Sequence, residues 1–198
     1  MAGRGRLGIF GGTFDPPHAG HLALAEWARE RLRLDRVLFV PAGQPPHKRR
    51  VAISGAEARL AMTRLAVRGN AAFEVATFEL RSSGPSYTAD TVRRLAVVWP
   101  KSRLFLLIGA DSLDEFRTWR DPETIVERAT LAVAGRPGAG RAAARGWARR
   151  RGAVWIGNPG LELSSSMIRE RARAGVSIRY LVPEAVERYI TRHRLYRP

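Results

Sequence analysis

Five consecutive apolar residues, Leu104 to Ile108, sit inside the stretch RLFLLIGAD (Arg103 to Asp111). A strand with one face in water alternates apolar and polar side chains. An unbroken apolar run of this length suits a strand covered on both faces, as inside a parallel sheet. Parallel strands need a long crossover, usually a helix, and the rest of the chain supplies that alternation. RLGIF (Arg6 to Phe10) and RVLFVPAG (Arg36 to Gly43) read as further buried strands, the second ended by Pro41 and Gly43. FEVATFEL (Phe73 to Leu80) alternates enough for a strand nearer an edge. TLAVAG and AVWIG complete the set. Between them, from about Ala19, Leu24, Ala25, Ala28 and Leu32 share one helical face. Ala58, Ala61, Met62 and Leu65 repeat at helical spacing before the stop signal Gly69-Asn70. Val92, Leu95, Ala96 and Trp99 give a helix closed by Pro100. Asp121-Pro122 reads as an N-cap with proline in the first turn, leading to an inner face of Ile125, Val126 and Ala129. Ser164 to Arg173 and Pro183 to His193 read as closing helices.

This order predicts a doubly wound, Rossmann-like α/β fold: a mainly parallel sheet with helices on both faces and a small C-terminal helical segment. We expect one domain over 1–198, with 163–198 as a helical subregion. In such sheets ligands bind beyond the carboxyl ends of the strands.

Composition narrows the class. With 45% hydrophobic and 26% charged residues, the chain is globular rather than disordered. No apolar run approaches the roughly 18–20 residues that cross a membrane. The basic start MAGRGRLGIFGG breaks at once on glycines and does not read as a signal peptide. Cysteine is absent, which excludes disulfides and thiolate zinc sites. These features fit a cytoplasmic protein. The formal net charge is +16, and all but two of the 34 basic residues are arginine. Such a balance suits polyanionic partners, nucleic acid or small molecule, or is a compositional bias spread over solvated faces. The densest cluster, RAAARGWARRR (Arg141 to Arg151), reads as a variable surface segment, with Trp147 the one hint of an RNA-binding surface.

The first chemistry-bearing stretch is GIFGGTFDPPHAGH (Gly8 to His21), at the carboxyl end of the first strand. Gly11 and Gly12 permit a sharp turn and close approach, so the Gly11–Phe14 backbone is a candidate anion cradle, or an ordinary strand–helix turn. It is neither a P-loop nor a G-x-G-x-x-G fingerprint. His18 and His21, three apart, point to nearly the same side of a helix's first turn. Imidazoles there can donate hydrogen bonds to phosphate, form a zinc pair, or simply cap and pack. No third metal ligand is evident. LSSSMIRERARAG (Leu163 to Gly175) places Ser164, Ser165 and Ser166 before a basic helix, with Arg169 one turn in.

Together these two stretches resemble the nucleotidyltransferase superfamily that carries an H-x-G-H or T-x-G-H motif. PAGQPPHK (Pro41 to Lys48), PSYTADT (Pro85 to Thr91), IGADSLDEFRTW (Ile108 to Trp119), AGRPG (Ala134 to Gly138) and the final HRLY (His193 to Tyr196) resemble the bacterial nicotinate-nucleotide adenylyltransferases within it. The resemblance implies an enzyme that joins ATP to nicotinate mononucleotide in NAD biosynthesis, releasing pyrophosphate. It implies that His18 and His21 serve the triphosphate, His21 nearest the α-phosphate and both bringing charge to it. Arg169 and the three serines would hold the β- and γ-phosphates. Gly11, Gly12, Thr13, Phe14 and Gly109 would line the nucleotide, and Asp111, at the end of the central strand, would accept from ribose hydroxyls. Trp119 would stack on the nicotinate ring, and Tyr87 and Thr88 would offer backbone N–H groups to its carboxylate. Lys48 would meet phosphate and Arg136 the substrate. Mg²⁺ would bridge the phosphates through water and ATP, with no metal site built by the protein. No membrane or nucleic-acid partner is implied, and monomer and dimer stay open. The alternatives are another adenylyl- or cytidylyltransferase of the superfamily, or a basic RNA-binding protein.

Overall fold

The computed structural model of the chain describes residues 5–44, 53–82, 84–135 and 140–197. The expectations at Lys48 and Arg136 lie outside them. Six strands, β1 (Arg6–Gly12), β2 (Arg36–Pro41), β3 (Phe73–Val75), β4 (Arg103–Gly109), β5 (Ala129–Ala134) and β6 (Val154–Gly157), form one sheet in the order β3-β2-β1-β4-β5-β6. Every pairing is parallel. The helices are α1 (Ala19–Leu32), α2 (Ala56–Val67), α3 (Thr88–Val98), α4 (Ala110–Glu115), α5 (Pro122–Arg128), α6 (Ala142–Arg150), α7 (Ser165–Arg173) and α8 (Glu184–Arg192).

The period-2 alternation of each strand divides the core in two. Leu7, Ile9, Leu38, Val40, Leu104, Leu106, Ile108, Leu131 and Val133 point to one face, where Val92 and Leu95 of α3 and Ile125 of α5 cover them. Phe10, Val37, Phe39, Phe105, Leu107, Ala132 and Ala134 point to the other, under Ala25 and Ala28 of α1. A third cluster joins Met62 and Ala66 of α2 to Ile168 of α7 and Val186 and Ile190 of α8, so the C-terminal helices pack on α2. The Trp27 indole of α1 donates to the Ile156 carbonyl at 2.5 Å, tying that helix to β6.

Four expectations are corrected. The strand expected over Phe73–Leu80 stops at Val75, and Glu79–Arg81 forms a 3₁₀ turn instead. Its sheet neighbour β2 offers three paired positions, and β3 is the sheet edge as expected. The central strand ends at Gly109, so Asp111 lies in the first turn of α4 rather than at a strand end. Ala129 opens β5 instead of closing the inner face of α5. The segment read as variable surface is helix α6, whose Ala144, Trp147 and Ala148 are buried against the first core cluster. Its arginines occupy the outer face, and Trp147 packs on Phe116 with ring centroids 5.4 Å apart. The arginine-rich composition hid an amphipathic helix.

Trp147 therefore serves the core and not an RNA surface. Trp147→Ala should cost about 3–5 kcal/mol of stability, as large aromatic deletions from cores do. Urea unfolding measures this; a loss under about 1 kcal/mol would return the residue to the surface.

Candidate active site

The strand order reverses between β1 and β4: chain order runs outward to β3 on one side and to β6 on the other. The connection from β1 leads to α1 on one face, and the connection from β4 leads to α5 on the other. The two loops diverge, leaving a crevice at the carboxyl ends. A cavity of about 630 Å³ lies there. Its lining includes Gly11, Gly12 and Thr13 at the end of β1, Ser86, Tyr87 and Thr88 at the start of α3, and Gly109, Ser112, Trp119 and Arg120 beyond β4. At Gly11 a Cβ would meet no protein atom, only the open cavity; at Gly12 it would strike the Phe14 ring. Phe14 itself is buried at φ 51°, behind the loop and away from the cavity.

One end of the cavity is aromatic. Trp119 packs tilted against Phe116, with ring centroids 5.1 Å apart, and lines the cavity. Tyr87 is the N-cap of α3 with extended backbone and no capping side chain, leaving the first helical amides to a ligand. Arg120 lies over the Tyr87 ring at 4.5 Å. Glu79, which sequence reasoning missed, lines the cavity from the 3₁₀ turn. It accepts from the Thr91 hydroxyl of α3, and Ser86 also bonds it. The Ser86 hydroxyl oxygen in turn accepts from the Gly43 N–H at 2.9 Å. Burial pushes the Glu79 carboxyl up, and the two hydroxyl donors oppose that.

The other functional group is built from two histidines. His18 is the N-cap of α1, and its Nδ1 accepts from the His21 N–H at 3.3 Å. The His21 Nδ1 accepts from the His18 N–H at 3.1 Å. This is a capping box in which imidazoles replace the usual hydroxyl and carboxylate. The rings stack with centroids 3.6 Å apart. Because each Nδ1 is an acceptor, each Nε2 carries the proton and is the donor atom of its ring. Gly20 permits the arrangement, since a Cβ there would lie 3.1 Å from the His18 Nδ1. Desolvation lowers the His18 pKa to about 4. Without a bound anion His18 is therefore uncharged near neutral pH, a donor through Nε2–H, where the resemblance implied charge. His21 stands edge-on to Phe14 and close to Phe10, whose residue also lines the cavity.

The α7 turn meets this group from the far end of the chain. Ser164 caps α7, accepting from the Met167 N–H at 3.2 Å. Ser165 donates to the Pro16 carbonyl at 2.9 Å. Arg169 donates to the Asp15 carbonyl at 2.8 Å and to the Ser166 hydroxyl at 3.0 Å. The structure thus joins Ser165, Ser166 and Arg169 to the start of α1. Gly11, Gly12, Thr13, Tyr87, Thr88, Gly109 and Trp119 meet in the cavity. Asp111 is exposed and is not part of the cavity lining. Also missed was Arg59, 1% exposed, which donates to the carbonyls of Thr13, Ala42, Gly43 and Ser54 at 2.6–3.1 Å. An arginine inside an otherwise apolar helical face, between Ala58 and Met62, was the available signal.

The cytidylyltransferase-like family pattern matches residues 9–171. A protein of Thermomicrobium roseum named probable nicotinate-nucleotide adenylyltransferase is 46% identical over 97% of this chain and 92% of its own. A Thermus thermophilus protein of the same name is 46% identical over 97% of this chain and 100% of its own. The chain belongs to the nicotinate-nucleotide adenylyltransferase family. The fold is shared more widely. A Plasmodium falciparum nicotinic acid mononucleotide adenylyltransferase, solved in complex with NaAD, superposes with a TM-score of 0.77 at 17% identity, covering 97% of each chain. A Vibrio parahaemolyticus structure titled as a putative nicotinate-nucleotide adenylyltransferase gives 0.72 at 18% identity, over 98% of this chain and 96% of its own. Among the described residues, no helix of this adenylyltransferase family member is long and apolar enough to cross a membrane.

The low His18 pKa has a pH signature. An unfolded histidine takes its proton near 6.5 and the folded one near 4, so stability falls as pH drops through that window. For activity, kcat/KM reports the free enzyme. The ratio of kcat/KM for ATP between the parent and His18→Asn should stay level from about pH 5 to about pH 8. A ratio that falls as pH rises through about 6.5 would mean that the imidazolium is the working form.

Proposed function

We propose that this chain transfers the adenylyl group of ATP to nicotinate mononucleotide, giving nicotinate adenine dinucleotide and pyrophosphate in NAD biosynthesis. The observation that carries this reading is the cavity at the strand-order reversal. It sets an aromatic face, Trp119, and an uncapped helix N-terminus, Tyr87–Thr88, beside the glycine turn of β1. A flat ring with a carboxylate matches that pair: the ring stacks on the indole, and the carboxylate meets the α3 amides at the positive end of the helix dipole. We take 1–198 as one nucleotidyltransferase unit, with 163–198 as its C-terminal helical part.

The nucleophile is a phosphate oxygen of the mononucleotide, already ionised near neutral pH, so no general base is needed. This oxygen attacks the α-phosphorus of ATP in line. A new P–O–P bond forms as the bond from the α-phosphorus to the bridging oxygen of the β-phosphate breaks, and pyrophosphate leaves with that oxygen. No covalent enzyme intermediate arises. The chain's work is to bring two anions together and hold them in line. The Nε2–H groups of His18 and His21 donate to the triphosphate, His21 nearest the α-phosphate. Arg169 and the Ser164 and Ser166 hydroxyls take the β- and γ-phosphates as pyrophosphate charge builds, and Ser165, its proton on the Pro16 carbonyl, sets the place of their turn. The backbone of Gly11 to Phe14 and Gly109 lines the nucleotide, and Asp111, exposed on the first turn of α4, reaches for a ribose hydroxyl. Lys48 and Arg136 remain assigned to phosphate and substrate.

The phosphate-facing side chains are N–H and O–H donors, and among the described residues no group of three or more His, Asp or Glu is gathered for a metal. That donor set fits a cation carried in by the nucleotide. Magnesium brought with ATP would neutralise charge on the transferring and leaving phosphates, while the N–H and O–H donors of His18, His21, Ser166 and Arg169 would hold the phosphate oxygens.

Purified protein with ATP and either nicotinate or nicotinamide mononucleotide, followed by pyrophosphate release, tests the reading. Nicotinate mononucleotide should be clearly preferred; preference for the amide, or activity with phosphopantetheine alone, would overturn it. Trp119→Ala should raise KM for the mononucleotide about 5- to 100-fold, the scale of a lost stacking contact, and leave KM for ATP nearly unchanged. Equal effects on both would make Trp119 a packing residue. His18→Ala and His21→Ala should each lower kcat about 100-fold or more; losses of only a few-fold would remove them from the phosphate site.

A further inference from the structure

The C-terminal HRLY segment and Asp15 take no part in the reaction as described, yet they meet. The Tyr196 hydroxyl donates to Asp15 Oδ1 at 2.7 Å, across 181 positions of chain. The other carboxylate oxygen, Oδ2, accepts from the Ser54 N–H at 3.0 Å. Asp15 is 1% exposed, and Arg59 supplies the buried positive charge beside it. Tyr196 holds a left-handed backbone, φ 68°, in a residue with a bulky side chain. Such a conformation persists where the surroundings over-determine it. Its neighbour Leu195 is anchored to the end of α8 by an N–H bond to the Ile190 carbonyl at 3.0 Å.

Asp15 and Pro16 are where the two phosphate-holding elements join. Arg169 bonds the carbonyl of Asp15, Ser165 bonds the carbonyl of Pro16, and His18 begins α1 two residues on. Any rotation of this dipeptide moves the histidine pair and the Arg169 guanidinium relative to each other. Its backbone carbonyls are held by α7, and among the described residues the Tyr196 hydroxyl ties its side chain to the segment after α8.

We propose that Tyr196 is a positioning residue for adenylyl transfer: by fixing the Asp15 carboxylate it sets the spacing between the His18–His21 pair and Arg169, so that the C-terminal tail tunes the triphosphate site and not the mononucleotide cavity. The inference rests on the assignment of the histidines and Arg169 to the triphosphate. Burial beside Asp15 pushes the Tyr196 phenol far up, so it stays a donor across the working pH range.

Tyr196→Phe removes one oxygen and keeps the ring. It should lower kcat about ten-fold or more, the scale of a small misplacement in a reacting geometry. It should weaken binding of magnesium with a non-hydrolysable ATP analogue several-fold by calorimetry, and leave KM for nicotinate mononucleotide within about two-fold. Asp15→Asn should cost a similar factor, and the two changes together should cost little more than either alone, because both break one contact. A Tyr196→Phe protein that melts earlier but keeps kcat and nucleotide affinity would overturn the proposal. So would equal losses for the two substrates, or full additivity of the two substitutions. Calorimetry reads the lock without turnover, so its failure is separable from a failure of the transfer reaction itself.

Discussion

β1 is hydrogen-bonded along both edges by strands running in its own direction, β2 on one side and β4 on the other. That constraint organises the molecule. A parallel strand must be reached by a right-handed crossover, so the helix leaving β1 and the helices leaving β4 go to opposite faces. Backbone amides, glycine turns and helix N-termini are left around one crevice. The glycine turn, the uncapped start of α3 and Trp119 all line it because strand order, not local attraction, delivers them there.

In the proposed reaction, dipoles and donors matter more than net charge. The histidine pair spends both Nδ1 atoms on each other's backbone at the N-terminus of α1, the positive end of a helix dipole. The fixed positive charge comes from Arg169, held by the Asp15 carbonyl. Arg59 is equally charged but lies inside, its guanidinium occupied by four carbonyls from two connections, Thr13 after β1 and Ala42, Gly43 and Ser54 between β2 and α2. A buried cation with that many acceptors is costly to disturb, since removing it would strand those carbonyls. It makes the loops after β1 and β2 one rigid piece.

Most of the fold was legible in the sequence because strands buried on both faces leave unbroken apolar runs, as at Leu104–Ile108, and because Pro100, Gly69-Asn70 and Asp121-Pro122 mark helix ends by backbone geometry. The failures have physical causes too. Val75 ends β3 because an edge strand has a neighbour on one side alone, so apolar alternation through Leu80 did not commit the backbone. Helix α6 was obscured by arginines whose aliphatic stems cover apolar surface while their heads stay in water, so composition hid the buried Trp147. Of the site, the His18–His21 and Ser164–Arg169 stretches were legible from motif order, and the structure joins them through Asp15 and Pro16. The supporting residues Arg59, Glu79 and Tyr196 were not: each makes a contact distant in sequence, Arg59 to Thr13 46 positions away, Glu79 to Thr91 12 away and Tyr196 to Asp15 181 away.

A structure of the chain with nicotinate adenine dinucleotide bound would report both halves of the site through one product molecule. The nicotinate ring should lie on Trp119 with its carboxylate at the Thr88 amide, and the adenylyl phosphate within hydrogen-bond reach of a histidine Nε2. A dinucleotide bound with its adenine on Trp119, or with its phosphates turned away from His18 and His21, would contradict it.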